Sequence, residues 1–488
     1  MTALNSSARG LLVCGTASNA GKTTVVAALC RLLARRGVRV APFKAQNMSL
    51  NSTVTADGRE IARAQHLQAE AAGVAPEVAM NPILVKPGTD RRSHLVVNGL
   101  PAGDLDALNY LRDRHDLLDV AVSAYRDLAA RFDVIIAEGA GSPAEINLRQ
   151  HDIANMGLAS ALDLPVVLVT DIDRGGAFAS LLGTLACLDD ADQKRIIGFV
   201  INRFRGDVDV LQPGLDEIEQ RTGRPVFGVL PYDAALRLDA EDSLATEWAP
   251  IPQPPVGPDI LRVAVIRLPR ASNLTDLEPL AAEPGVVLTF ADVPQQLVDS
   301  DLVVIPGTRA TVDDLGWLRD RGFESVLRQR AESGLPLLGI CGGYQMLGAS
   351  IRDGVESRQD VIPGLALLPV DTTFGPTKVL AQRSERFADG TRVTGYQIHH
   401  GRVHRRGGEE LVPGDGCVDG AVAGTTWHGL FDSDDYRRGY LQQVAAVTGC
   451  SFVPGHTSWN EHRDTKLHRL ADAAQMHLRR LVDELTSS

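Results

Sequence analysis

Apolar residues in the first half of the chain fall into short runs: LLVC (11–14), VRVAPF (38–43), DVIIA (133–137), PVVLVT (165–170), IIGFVIN (196–202) and PVFGVL (225–230). The runs are short, rich in β-branched residues and bounded by Gly, Pro or Asp. That is the pattern of strands buried on both faces of a parallel sheet. Between the first two, TTVVAALCRLLARRG spaces its apolar positions as a helix does and closes on Gly37, a residue suited to a C-cap. Strand–helix alternation of this kind predicts a doubly wound α/β domain.

The pattern breaks at EWAPIPQPPVGPD (247–259), whose five prolines permit neither a helix nor a central strand. We expect a linker there, dividing the chain into domains over 1–246 and 260–488. At 488 residues the chain is too long for one ordinary core, which agrees with that division. A second α/β series follows in LRVAVIRLP (261–269), VVLTF (286–290), DLVVIPG (301–307) and LPLLGIC (335–341). From about 355 to 427 the chain is richer in Gly and short strands, so an antiparallel excursion is expected. Near the C-terminus Leu467, Leu470, Ala471, Ala474, Leu478, Leu481, Val482 and Leu485 share one helical face, predicting a packing helix.

Composition narrows the class. The net charge is −12, basic and acidic residues are mixed, and there is no Lys/Arg block. This argues against a general nucleic-acid or membrane-surface binder, so an anionic ligand must meet locally placed basic groups. The six cysteines lie far apart without CxxC pairs, as reduced thiols do, and Cys30 and Cys187 are read as buried packing residues. The polar start MTALNSSARG is no signal peptide, and no apolar run reaches the ~18–20 residues of a membrane span. A cytoplasmic protein is expected.

Two motifs carry chemistry. LLVC leads into GTASNAGKTT and then a helix, the context a phosphate loop requires. Backbone N–H groups of such a loop, including those at Gly21 and Thr24, favour phosphate oxygens. Lys22 would reach the β- and γ-phosphates of ATP and Thr23 would ligate Mg²⁺. The loop departs from GxxxxGK[ST], because Thr16 stands at the first glycine and Gly15 lies one earlier. The second motif is LPLLGI running into Cys341-Gly342-Gly343 and a helix, a nucleophile elbow with sulfur in place of oxygen. Its base is to be sought among His428 in GTTWHGLF and His399 and His400 in GYQIHHGR.

The GT-x4-GK[ST] loop resembles the dethiobiotin synthetase branch of phosphate-loop enzymes. That resemblance implies Mg²⁺ roles for Glu138 (DVIIAEGAG) and Asp57 (TADGRE) and a place facing the adenine for Asn202 (VINRF). GTTWHGLF resembles the catalytic histidine strand of class I glutamine amidotransferases, which favours His428. Most of those enzymes carry Glu two residues after the histidine, where this chain has Leu430. The third member of a triad is then absent or supplied from elsewhere, as in the Cys–His branch. The backbone around Gly307, in VVIPGTR, with Gly342, is the expected oxyanion and glutamine site.

Longer stretches are more specific: PFKAQNMSLNS (42–52), NPILVKP (81–87), EGAGSPAEINLRQHDIANMGLA (138–159), RLPRASNLTDLEPL (268–281) and VVIPGTRATVDDLGWLR (303–319). Together they resemble the cobyric acid synthase family over nearly the whole chain, with Gln397 where that family's GYEIH pattern would have Glu. The resemblance implies ATP- and glutamine-dependent amidation of the b, d, e and g carboxylates of adenosylcobyrinic (or hydrogenobyrinic) acid a,c-diamide through acyl phosphates. Lys44, Lys86 and Arg149, in the distinctive stretches, are candidates for holding that polyanionic corrinoid. Two other readings are a cobyrinic acid a,c-diamide synthase and a partition-type regulatory ATPase with a vestigial glutaminase domain. NMSLNS and INLRQHDIAN speak against the first, and the intact Cys341 and His428 against the second.

Overall fold

The computed structural model describes residues 8–88, 92–106, 114–233, 252–357, 359–456 and 458–486. Contacts divide the chain into two compact units. Unit 1 comprises 1–48, 60–238 and 463–488, and unit 2 comprises 49–59 and 239–462.

Unit 1 is built on a six-stranded parallel sheet in the order Val226–Pro231, Ile196–Phe204, Val166–Asp171, Arg9–Gly15, Val134–Glu138, Val40–Phe43. All six apolar runs named above form its strands. The order reverses direction at Arg9–Gly15, so the loops leaving that strand and Val134–Glu138 open at a topological switch point, where such sheets bind ligands. One feature had no sequence signal: a small mixed sheet of Gln46–Met48, Ile83–Pro87, Arg92–Val97 and Leu100–Asp106 beside the main one.

The last two helices are Trp459–His477 and Arg479–Thr486. Residues from Arg463 onward belong with unit 1. The reason is their apolar face: Leu467, Leu470, Ala471, Ala474, Leu478, Leu481, Val482 and Leu485 are buried in one cluster with Val25, Leu29 and Leu33 of the helix Lys22–Arg35. At Gly228 a Cβ would lie 1.7 Å from the carbonyl oxygen of His477, so only glycine allows this backbone to approach the strand.

Unit 2 carries a second sheet in the order Val286–Ala291, Leu261–Ile266, Leu302–Ile305, Leu337–Ile340, Val422–Thr425, Cys417–Asp419, parallel except for the last pair. The expected excursion is a four-stranded sheet dominated by the long antiparallel pair Val370–Arg386 and Arg392–Arg405. Of the proline-rich segment, 247–251 lie outside the described residues and 252–259 form neither helix nor strand. Cys30 is buried as expected, whereas Cys187, at the last position of the helix Ala177–Cys187, is exposed.

Candidate active sites

In unit 1 the strand Arg9–Gly15 hands over to the loop and the helix Lys22–Arg35. The displaced glycine of the motif has a steric cause. A Cβ at Gly15 would sit 2.8 Å from the Ala17 carbonyl oxygen and 3.1 Å from Lys22 Nζ, so the lysine folds back over bare backbone. Lys22 Nζ donates to the carbonyls of Ala17 (3.1 Å), Ser18 (2.8 Å) and Gly141 (3.1 Å), tying the loop to the turn after Glu138. Gly21 has φ 97°, a left-handed conformation that begins the helix. Asn202 Nδ2 donates to the Ala20 carbonyl at 3.0 Å, so the structure places this residue against the loop itself. Thr24 is half-buried in the first turn.

Glu138 ends its strand fully buried, and three groups converge on its carboxylate: Thr23 Oγ1 at 3.0 Å, Lys44 Nζ at 2.8 Å and Gln68 Nε2 at 2.5 Å. Burying a carboxylate is tolerable only when it is paired and hydrogen-bonded in this way. Thr23 and Glu138 offer hard oxygen donors, one of them anionic, which suits Mg²⁺ that shares its coordination with phosphate. Among the described residues no group of three or more His, Cys, Asp or Glu could enclose a metal by itself.

The remaining unit 1 candidates sort differently. Lys44, following the strand Val40–Phe43, belongs to the Glu138 cluster and is buried. Lys86 is buried against Glu60, and Arg149 Nη2 donates to Asp192 at 2.7 Å. Asp57 lies outside this unit altogether. It is an exposed turn residue of unit 2, accepting from Thr55 Oγ1 and pairing with Arg59 at 3.4 Å. Gln68 went unnoticed in the sequence, since a glutamine on a helix carries no motif.

In unit 2, Cys341 joins the strand Leu337–Ile340 to the helix Gly342–Leu347 with φ 50° and ψ −106°, a positive-φ conformation that a non-glycine residue seldom adopts. Its N–H donates to the Thr425 carbonyl at 2.8 Å, which fixes the turn. The two following glycines are required by packing. A Cβ at Gly342 would lie 2.6 Å from Thr308 Cγ2, and one at Gly343 would lie 2.1 Å from the Ile305 carbonyl oxygen. The loop they press against includes Gly307, where a Cβ would sit 3.2 Å from His428 Cε1. Cys341, Gly342, Gly307 and His428 therefore meet.

The acid missing from the histidine strand is Asp276. It sits in a 3-10 turn, Leu274–Leu277, within the distinctive stretch RLPRASNLTDLEPL. Its Oδ2 lies 2.6 Å from His428 Nδ1, and its Oδ1 accepts from the Gly429 N–H at 2.8 Å. Leu430, at the expected glutamate position, is buried with Val393, Val412 and Trp427. Burial pushes the His428 ring down, but its electrostatic and hydrogen-bonding interactions with Asp276 and then Cys341 more than reverse this and raise it to about 10. The ring of Tyr396 stacks on the imidazole at 5.4 Å.

The other two histidines are engaged elsewhere. His399 Nδ1 lies 2.7 Å from the Gly401 carbonyl, and burial holds its ring down to about 4, hence neutral; His400 Nδ1 lies 3.1 Å from the Gly375 carbonyl. Gln397 accepts from Arg383 at 2.7 Å and donates to Thr426 Oγ1 at 2.6 Å. An ionised glutamate could accept from Arg383 in the same way but could not donate to Thr426 Oγ1.

A thiol, an imidazole and a carboxylate in sequence form the constellation of a cysteine nucleophile with an oriented base. Unit 1 adds a loop and a carboxylate cluster fit for a nucleoside triphosphate. Comparison with known proteins agrees on both halves. Residues 11–245 match the model of the CobQ/CobB/MinD/ParA nucleotide binding domain, and residues 262–436 that of the CobB/CobQ-like glutamine amidotransferase domain. The chain is 54% identical to a cobyric acid synthase of Frankia casuarinae, covering 98% of this chain and 97% of the relative. It is 54% identical to one of Mycolicibacterium paratuberculosis (96% and 94%) and 52% identical to one of Streptomyces avermitilis (96% and 94%). With two α/β units of the expected kinds and this similarity along nearly its full length, the chain belongs to the cobyric acid synthase family of glutamine-dependent ligases.

Proposed function

We propose that the protein amidates the b, d, e and g side-chain carboxylates of adenosylcobyrinic (or hydrogenobyrinic) acid a,c-diamide, taking nitrogen from L-glutamine and consuming one ATP per amide, in the cytoplasm. The observation that carries this reading is the pairing, on one chain, of the Cys341–His428–Asp276 constellation with the Lys22–Thr23–Glu138 cluster. A carboxylate does not react with ammonia until one oxygen becomes a leaving group. The unit 1 site supplies that by phosphoryl transfer from ATP to the carboxylate, giving an acyl phosphate and ADP.

Lys22 and the loop N–H groups would stabilise charge on the transferring phosphoryl group. Thr23 and Glu138 would hold Mg²⁺, which supplies charge neutralisation when bound. Lys44 would turn to the corrinoid carboxylate, and Lys86 and Arg149 are assigned more distant substrate contacts. Asn202 would border the adenine. Glutamine chemistry runs in parallel. The Cys341 sulfur attacks the side-chain amide, and His428 passes the thiol proton to the departing ammonia. Backbone at Gly307 and Gly342 receives the oxyanion, and water then cleaves the thioester to glutamate. The amidating domain is assigned to 1–246, the linker to 247–259 and the glutaminase to 260–488, with the C-terminal helices lent back to unit 1.

The decisive experiment incubates the purified protein with the a,c-diamide, ATP, Mg²⁺ and glutamine and follows products by mass spectrometry. Each step exchanges hydroxyl for amino, so four successive products are expected. Conversion of the a,c-unamidated precursor instead would assign the chain to the diamide synthase reaction.

A further inference from the structure

Residues 49–59 interrupt unit 1 in sequence but belong to unit 2. The run Ser49–Thr55 is buried throughout despite its polar composition, SLNSTVT, which is unusual for a connecting segment. Three of its bonds meet one residue, Asn273. Asn51 Oδ1 accepts from the Asn273 N–H at 2.7 Å. The Asn273 side chain then meets the backbone of Ser52 twice, accepting from its N–H at 3.2 Å and donating to its carbonyl at 2.9 Å. Val54 packs with Tyr396 and Ile398, and its carbonyl accepts from Gln382.

Asn273 is hydrogen-bonded to the residues on both flanks of the His428 ring, Asp276 and Tyr396. It has φ 54° and precedes the turn Leu274–Leu277, and its carbonyl accepts from the Asp276 N–H at 3.0 Å. Its Nδ2 donates to the Tyr396 hydroxyl at 2.9 Å, and Tyr396 is the ring stacked on His428. One asparagine thus sets the acid behind Nδ1 and the ring against the imidazole face, and the 49–59 segment holds that asparagine. The segment's ends lead back to unit 1. Lys44, five residues before Ser49, and Gln68, nine after Arg59, both bond Glu138 of the phosphate-loop cluster.

We propose that Asn51 and Asn273 are positioning residues for glutamine cleavage, and that the 49–59 segment is a strap through which the Glu138 cluster governs the His428–Asp276 pair. This rests on the glutaminase assignment above. Groups that orient a catalytic residue are worth about 10- to 100-fold when removed. Asn51→Ala should therefore lower kcat for glutamine hydrolysis by that factor with little change in KM, and should abolish any acceleration by ATP plus corrinoid. Amidation driven by ammonium salt should stay near wild type. Asn51→Asp keeps the acceptor for the Asn273 N–H and should restore most of the rate. Asn273→Gly retains the left-handed backbone but loses the amide, and should reproduce the Asn51→Ala defect if that variant folds poorly.

A folded Asn51→Ala with unchanged glutaminase, or with glutamine- and ammonia-driven activities lowered equally, would overturn the proposal. So would a wild-type glutaminase rate indifferent to ATP and corrinoid. Cys341→Ala is the control that separates the two readings. Glutamine hydrolysis persisting in it would sink the glutaminase assignment itself, whereas its loss beside an unaffected Asn51→Ala would sink only the strap.

Discussion

At the scale of single residues, His428 is defined by its neighbours. Because Asp276 and Cys341 raise it from 6.5 to about 10, its favourable charge contributes fully to stability below about pH 6.5 and is lost as pH rises through 10. Asp276→Asn removes the partner that raises it most. The stability gap between wild type and this variant should therefore be widest below about pH 6.5 and should narrow as pH rises from there to about 10, as chemical denaturation at several pH values would show. The same substitution should cost on the order of 10²–10⁴ in glutaminase rate, since the ring loses its tautomer and orientation. His428→Asn should do at least as much, while His399→Asn should act more weakly, because its ring is neutral and bonded to Gly401. The reverse ranking in a glutaminase assay would move the base to the GYQIHH strand. On the other unit, Lys22→Ala should abolish amidation with either glutamine or ammonia, because the transferring phosphoryl group loses its point charge. Near-normal ammonia-driven amidation there would remove the phosphate-loop assignment.

At the scale of elements, buried parallel strands were readable because they must be continuously apolar, and all ten apolar runs named from the sequence became strands of the two main sheets. The elbow was readable for the same reason: Cys341-Gly342-Gly343 announces a turn too tight for side chains. Asp276 was not. A carboxylate in a short 3-10 turn has no periodicity, and only folding brings it to a histidine 152 positions away. The small sheet of 46–106 was missed because Gln46–Met48 is only three residues long and Leu100–Asp106 carries Pro101 and Gly103, which read as a turn. Gly343→Ala tests the packing of the elbow. Its Cβ collides with backbone, which cannot move aside as a side chain would, so we expect about 1–3 kcal/mol of destabilisation with loss of glutaminase, measurable by urea unfolding. Truncating Leu478 to Ala, on the C-terminal face, should cost about 2–5 kcal/mol through the cavity it leaves.

At the scale of the molecule, two chemistries share one chain, and Cys341→Ala should uncouple them. Glutamine-driven amidation should vanish, while an ammonium salt at high pH should still yield four amides with one ADP each. Loss of ammonia-driven product in a folded variant would mean that the thiol also serves the synthetase. The discontinuity of unit 1 carries a consequence for biosynthesis. Arg463–Ser488, which covers the apolar face of Val25, Leu29 and Leu33, is translated only after the whole of unit 2. At ~5–20 residues per second that interval lasts roughly 10–45 s. Throughout it the nascent nucleotide unit shows the ribosome's surroundings an uncovered hydrophobic wall, while the glutaminase is free to mature first. A chain cut at 246 should accordingly aggregate, and fusing 463–488 behind it should return a soluble, cooperatively melting fragment.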